Sequence, residues 1–191
     1  MVSWRSIASL ATLLLAGCSH PPPETGSWIP QFTLTDQSGD AFNSDSLWSH
    51  VWVANFMFTN CPGPCPRMSS QMHEVQTALA GQDVKLVSMT VDPDRDTPEK
   101  LAKYAAFYSA TPGVWYFLTG PRETLNHLSQ DVFKLGPVDG SFDHSTRFVL
   151  VDRKSQIRGY YLTSEPDAIS RLIADARMLL KEAKSHGYRR P

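Results

Sequence analysis

Hydrophobic and polar positions change period several times along the chain, and each change marks an element. Phe32-Thr33-Leu34-Thr35 alternates as a strand does, Asp36-Gln37-Ser38-Gly39 carries turn residues, and Ala41-Phe42 returns as the second arm of a hairpin. The apolar run Val51-Trp52-Val53-Ala54-Asn55-Phe56-Met57-Phe58 predicts a buried strand. Further strands are predicted over 84–91, 114–118, 133–138, 146–151 and 157–162. Helical spacing occupies 66–80, 98–108, 121–131 and 166–185. Three of these helices have marked starts: Asp96-Thr97-Pro98, Thr119-Gly120-Pro121 and Ser164-Glu165-Pro166 each set polar or capping residues before a proline suited to the first helical position. Strands alternating with helices of this length predict an α/β fold, a central sheet with helices on both faces and an N-terminal hairpin. No internal repeat and no second domain is visible.

The first residues do not fit that pattern. Arg5 is followed by an apolar segment over 7–16, too short for a permanent membrane span. It ends in Leu15-Ala16-Gly17-Cys18, which resembles the lipobox of a bacterial lipoprotein. That resemblance implies cleavage before Cys18 and lipid on the new N-terminal cysteine. Each buried acyl methylene contributes about 0.8 kcal/mol, and stable anchoring needs more than one chain. His20-Pro21-Pro22-Pro23-Glu24-Thr25-Gly26-Ser27 has the composition of a stiff tether. The expected organisation is a signal peptide over 1–17, a lipidated Pro-rich tether over 18–28, one domain over 29–185 and a polar tail over 186–191. Such a chain is exported and held at a membrane, facing the periplasm or another extracytoplasmic space.

Composition agrees with one domain: 191 residues, 41% hydrophobic and 19% charged, are enough for a proper core. A net charge of −1 gives no electrostatic basis for binding nucleic acid, and Arg189-Arg190 reads as a solvated tail.

With Cys18 assigned to lipid, two cysteines remain, Cys61 and Cys65, in Thr59-Asn60-Cys61-Pro62-Gly63-Pro64-Cys65-Pro66. A disulfide closing so short a loop gains little chain entropy, so structural reinforcement is a poor explanation for the pair. Cys61, Gly63 and Cys65 each precede a proline and are pushed toward extended conformations. The helix is therefore expected to begin no earlier than Pro66, with both sulfurs in a stiff loop before it. The helix dipole and Arg67 favour negative charge there, which predicts lowered thiol pKa values. Two such thiolates suit Cu(I), and they equally form a dithiol/disulfide couple. Spacing alone leaves both open.

A third ligand would separate them. His144, in a polar loop at the mouth of a predicted strand, is the best candidate. His20 and His186 fall in the tether and the tail, His50 and His127 have no chemical neighbours, and His73 is two helical turns beyond the cysteines. Met68 and Met72 could be soft secondary ligands, but their helical spacing reads first as core.

Three segments together resemble the Sco/SenC family, thioredoxin-fold proteins implicated in copper delivery to cytochrome c oxidase. They are the Cys61–Cys65 loop after a Phe-rich strand, Val91-Asp92-Pro93-Asp94-Arg95-Asp96-Thr97-Pro98 continuing to Leu101 and Tyr104, and Asp143-His144-Ser145 opening a strand. The resemblance covers residues 29–184. It implies a thioredoxin-like fold and a Cu(I)/Cu(II) site formed by Cys61, Cys65 and His144, with Asp143 either orienting the imidazole or capping the loop. It also implies a copper-containing oxidase subunit or another copper chaperone as partner, and a metallochaperone role. A thiol–disulfide oxidoreductase that keeps client cysteines reduced is the alternative, with Cys61 and Cys65 as its catalytic pair. Many relatives carry an acidic residue between the cysteines where this chain has Gly63-Pro64.

Overall fold

A computed structural model of the chain describes residues 26–138 and 145–182. The hairpin pairs β1 (Thr33–Asp36) with β2 (Ala41–Asn43), Leu34 opposite Phe42. Asp36 Oδ1 accepts from the N–H groups of Ser38 and Asp40, and Gly39 supplies the left-handed φ of 87° that closes the turn. A 3₁₀ turn over Ser44–Leu47, capped by Asn43, leads into β3 (Val51–Met57). Then follow α1 (Cys65–Ala78), β4 (Val84–Thr90), α2 (Pro98–Phe107), β5 (Trp115–Thr119) and α3 (Arg122–Asn126). The last elements are β6 (Arg147–Val151), β7 (Ile157–Leu162) and α4 (Ala168–Glu182).

Among the described residues the seven strands form one sheet in the order β2-β1-β5-β4-β3-β6-β7. β3, β4 and β5 are parallel, which requires crossover connections, and α1 and α2 provide them. β6 runs antiparallel to β3, and β1 to β5, so the sheet is mixed. Every residue of β3 is buried, as a strand covered on both faces must be. α1 packs on α4, α4 on β3 and β7, and α2 on β5. Trp52 and Phe56, four residues apart on one face of β3, both rest edge-on against Phe133, with centroids 6.0 and 5.8 Å away. Residues 26–28 lie beside the start of β7: Gly26 N–H donates to the Ile157 carbonyl, and Ile157 N–H to that of Ser27.

Two expectations need correction. Residues 133–138 are not a strand, although Phe133 and Leu135 are buried and Lys134 exposed as strand alternation would have them. Lys134 and Gly136 take positive φ, 55° and 102°, which breaks any pleat. Backbone groups here bond to the preceding helical segment instead, Phe133 N–H to Leu128 O, Leu135 N–H to Ser129 O and Val138 N–H to Asn126 Oδ1. α3 itself runs on into a π-helical turn over His127–Val132. The second correction concerns α1, which begins at Cys65 rather than after it. Pro64 already has helical angles, φ −74° and ψ −24°, and its carbonyl accepts from Met68 N–H at 3.0 Å. Closing that first turn and burying Cys65 outweigh the bias imposed by Pro66.

Candidate metal centre

β3 delivers the chain to Cys61, and α1 starts on Cys65, so the two cysteines span a strand-to-helix junction at one end of the central parallel strands. Cys65 is fully buried and Cys61 half-buried against the same core. Both are free thiols, and Cys61 is near enough to Cys65 to raise its pKa. Met68 and Met72 are fully buried on α1, in the core rather than at the surface.

The expectation of lowered thiol pKa values fails at Cys65. Burial pushes its thiol well above the ordinary cysteine value, and the bond with Cys61 pushes the same way. A backbone hydrogen bond at Phe58 opposes them, and the charges of Cys61 and Asp96 add to the rise. Burial therefore sets the direction of the shift at Cys65. Arg67 does not face the sulfurs as expected: its Nη2 donates to the Thr163 carbonyl at 3.1 Å.

Cys18, Asp143 and His144 lie outside the described residues. The described chain still fixes where the His144 loop re-enters the fold. β6 is antiparallel to β3, so its first residues lie beside the end of β3 that leads to Cys61. The Thr146 carbonyl accepts from both Thr163 N–H (2.9 Å) and Thr163 Oγ1 (2.7 Å). The Thr163 carbonyl in turn accepts from Arg67 and Gln71 of α1. An unbroken hydrogen-bonded path thus joins the helix that begins with Cys65 to a residue two positions after His144. His50 and His127 are bonded to Asp83 and Asp131 respectively, away from the thiols. Among the described residues no group of three or more His, Cys, Asp and Glu side chains could hold a metal ion.

One contributor was not visible in the sequence. The loop entering Cys61 is gripped by Asp96 from the β4–α2 connection, 37 residues away. Asp96 belongs to a noted motif, yet nothing in the chain pairs it with Thr59.

The SCO1/SenC family model matches residues 21–181. The chain belongs to the SCO1/SenC family. Among curated relatives it is 40% identical over 94 residues to the SCO1 protein homolog of Bacillus subtilis, covering 48% of this chain and about half, 49%, of that protein. It is 33% identical over 141 residues to a protein of Stutzerimonas stutzeri named for copper binding, covering 69% of this chain and 68% of that one. Two solved structures superpose closely. A SCO1/SenC family lipoprotein from Bacillus anthracis gives a TM-score of 0.75 at 32% identity, covering 82% and 97% of the two chains. BsSco, described as a member of the Sco family of cytochrome c oxidase assembly proteins, gives 0.73 at 30% identity, covering 83% and 96%. The mixed sheet flanked by helices is the thioredoxin-like fold that the SCO1/SenC resemblance implied.

Proposed function

We propose that this chain is an exported copper metallochaperone, tethered to a membrane through Cys18, that binds copper through Cys61, Cys65 and His144 and helps to assemble a copper site of a respiratory cytochrome c oxidase. The observation that carries this reading is the pair of free thiols brought together at the β3–α1 junction. Two sulfurs four residues apart across such a junction can both ligate one soft monovalent ion, and each releases its proton as the ion binds. An imidazole from the loop before β6 adds the borderline nitrogen donor that accommodates the oxidised ion. The copper-binding name of the Stutzerimonas stutzeri relative and the oxidase-assembly description of BsSco support the cargo and the client. The lipobox-like segment, and the naming of the Bacillus anthracis neighbour as a lipoprotein, support the tether.

The alternative is a thiol–disulfide oxidoreductase that keeps client cysteines reduced, and the contact between the two thiols suits it as well. Copper loading decides between them. The full chain, reduced and loaded without oxygen in detergent, should retain about one copper per chain, and His144→Ala should change the Cu(II) spectrum. Loss of all retained copper in wild type, with disulfide reduction that needs both cysteines, would leave the oxidoreductase. Fatty-acid labelling of wild type but not of Cys18→Ser tests the tether; equal labelling of both would remove it.

A further inference from the structure

The segment Asp92-Pro93-Asp94-Arg95-Asp96-Thr97-Pro98 contains no ligand of the site, yet it is built around a deeply buried carboxylate. Asp92 folds the turn: its carbonyl accepts from the N–H groups of Arg95 and Asp96, and its carboxylate from Arg95 Nε. That turn carries Asp96, which is 1% exposed, to the end of β3. Thr59 N–H donates to Asp96 Oδ2 at 3.1 Å, Thr59 Oγ1 to Oδ1 at 2.5 Å, and Thr90 Oγ1 to Oδ2 at 2.6 Å.

A buried carboxylate is costly unless donors surround it, and here all three donors are neutral: one backbone N–H and two hydroxyls. Two belong to one residue. A carboxylate that takes the N–H and the hydroxyl of Thr59 together fixes both the backbone and the side-chain rotamer of that residue. Thr59 stands two positions before Cys61, and the third donor, Thr90, is the last residue of β4, paired in register with Met57 of β3. The grip therefore ties the thiol loop to the sheet rather than to another loop. Asp96 is also near enough for its charge to be felt at Cys65.

We propose that Asp96 is the positioning residue of the dithiol, its carboxylate holding Thr59 at two points and so setting the course of the chain into Cys61. The inference rests on reading Cys61 and Cys65 as copper ligands. Asparagine at this position keeps the shape but replaces charge-assisted bonds with weaker neutral ones, and its amide can face the Thr59 hydroxyl only if that hydroxyl turns round to accept, so part of the grip is lost.

The test uses the full reduced chain in detergent, with Asp96→Asn, Thr59→Val, Thr59→Ser and, as a control, Tyr161→Phe. Tyr161 also donates to a buried carboxylate, Asp175 Oδ2 at 2.6 Å, but between β7 and α4. Three quantities are measured: Cu(I) affinity against a chromophoric chelator, thermal midpoint, and the dithiol–disulfide equilibrium in glutathione buffers. Asp96→Asn and Thr59→Val should weaken Cu(I) binding by about tenfold or more, the size of effect that supporting partners of metal ligands show. Thr59→Ser should bind as wild type, and Tyr161→Phe should lose thermal stability with its affinity unchanged. Wild-type affinity in both Asp96→Asn and Thr59→Val, with only the midpoint lowered, would make Asp96 a brace of the fold and overturn the proposal. Should Asp96→Asn not fold, the Thr59→Val and Thr59→Ser pair decides by the same criterion. A wild type that takes no copper would overturn the reading of the site, and positioning is then judged on the glutathione equilibrium. A shift of about threefold or more toward disulfide in Thr59→Val and Asp96→Asn, absent in Tyr161→Phe, supports it, and no shift overturns it.

Discussion

At the start of β3, Asp83 lies 44% exposed between His50 and Arg153; at its end, Asp96 is 1% exposed among the neutral donors of Thr59 and Thr90. The first cluster joins opposite charges in reach of water, where attraction is modest and salt screens it. The second holds a charge by the directed N–H and O–H groups of two threonines, where geometry matters more than attraction. An exposed pair tolerates loose geometry, whereas the buried carboxylate imposes it. The thiols sit at the end that imposes it.

That contrast can be broken first through the residue both ends share. Phe133 meets Trp52 near the start of β3 and Phe56 near its end. Phe133→Ala should therefore cost about 3–5 kcal/mol in chemical denaturation and loosen both ends alike. Thr90→Val keeps the shape but removes a hydrogen bond to a charged group and leaves the Asp92 N–H without its Oγ1 acceptor. A loss of about 1.5–3 kcal/mol is expected, with faster alkylation of Cys61 but no change in the His50–Asp83 contact.

Asp83→Asn should cost less, under about 1 kcal/mol, and the difference should shrink in concentrated salt. Burial pushes the Asp83 carboxyl up, but the bonds and charges of Arg153 and His50 outweigh it and hold its pKa below the ordinary 3.8. A carboxyl lowered in the folded state contributes stability that is complete above its unfolded value and is lost as pH falls through the folded one. Wild type and Asp83→Asn should thus differ most near neutral pH and converge in strong acid, as denaturation curves across pH would show. Gly63→Glu should have the smallest effect, within about 0.5 kcal/mol, because it alters an open loop between the cysteines and neither end of β3.

Period and punctuation made much of the fold legible. The apolar run of β3, the proline that starts α2 and the Asp36–Gly39 turn all form as expected. The failures have local causes. Residues 133–138 carry apolar spacing that a strand and a tightly turned, buried segment share, and only the positive φ of Lys134 and Gly136 separates them. At Cys65 the helix start and the basic neighbour are visible in a sequence, whereas the burial that raises its pKa is not. Cys61 and Cys65 were legible as a pair because they are close in the chain. The grip of Asp96 on Thr59 was not, because a parallel crossover brings together residues whose order gives no sign of contact.

Gly63 stands apart from all of this. A Cβ built there meets no heavy atom within 4 Å, and its φ is not one that only glycine tolerates. The apex of the thiol loop is thus a position where side chains can be exchanged without re-optimising anything beneath them. An acidic side chain in place of this glycine is therefore close to neutral as far as folding is concerned. A charged side chain there would act on the two sulfurs that flank it and on any molecule the loop meets, while the fold beneath stayed as it is.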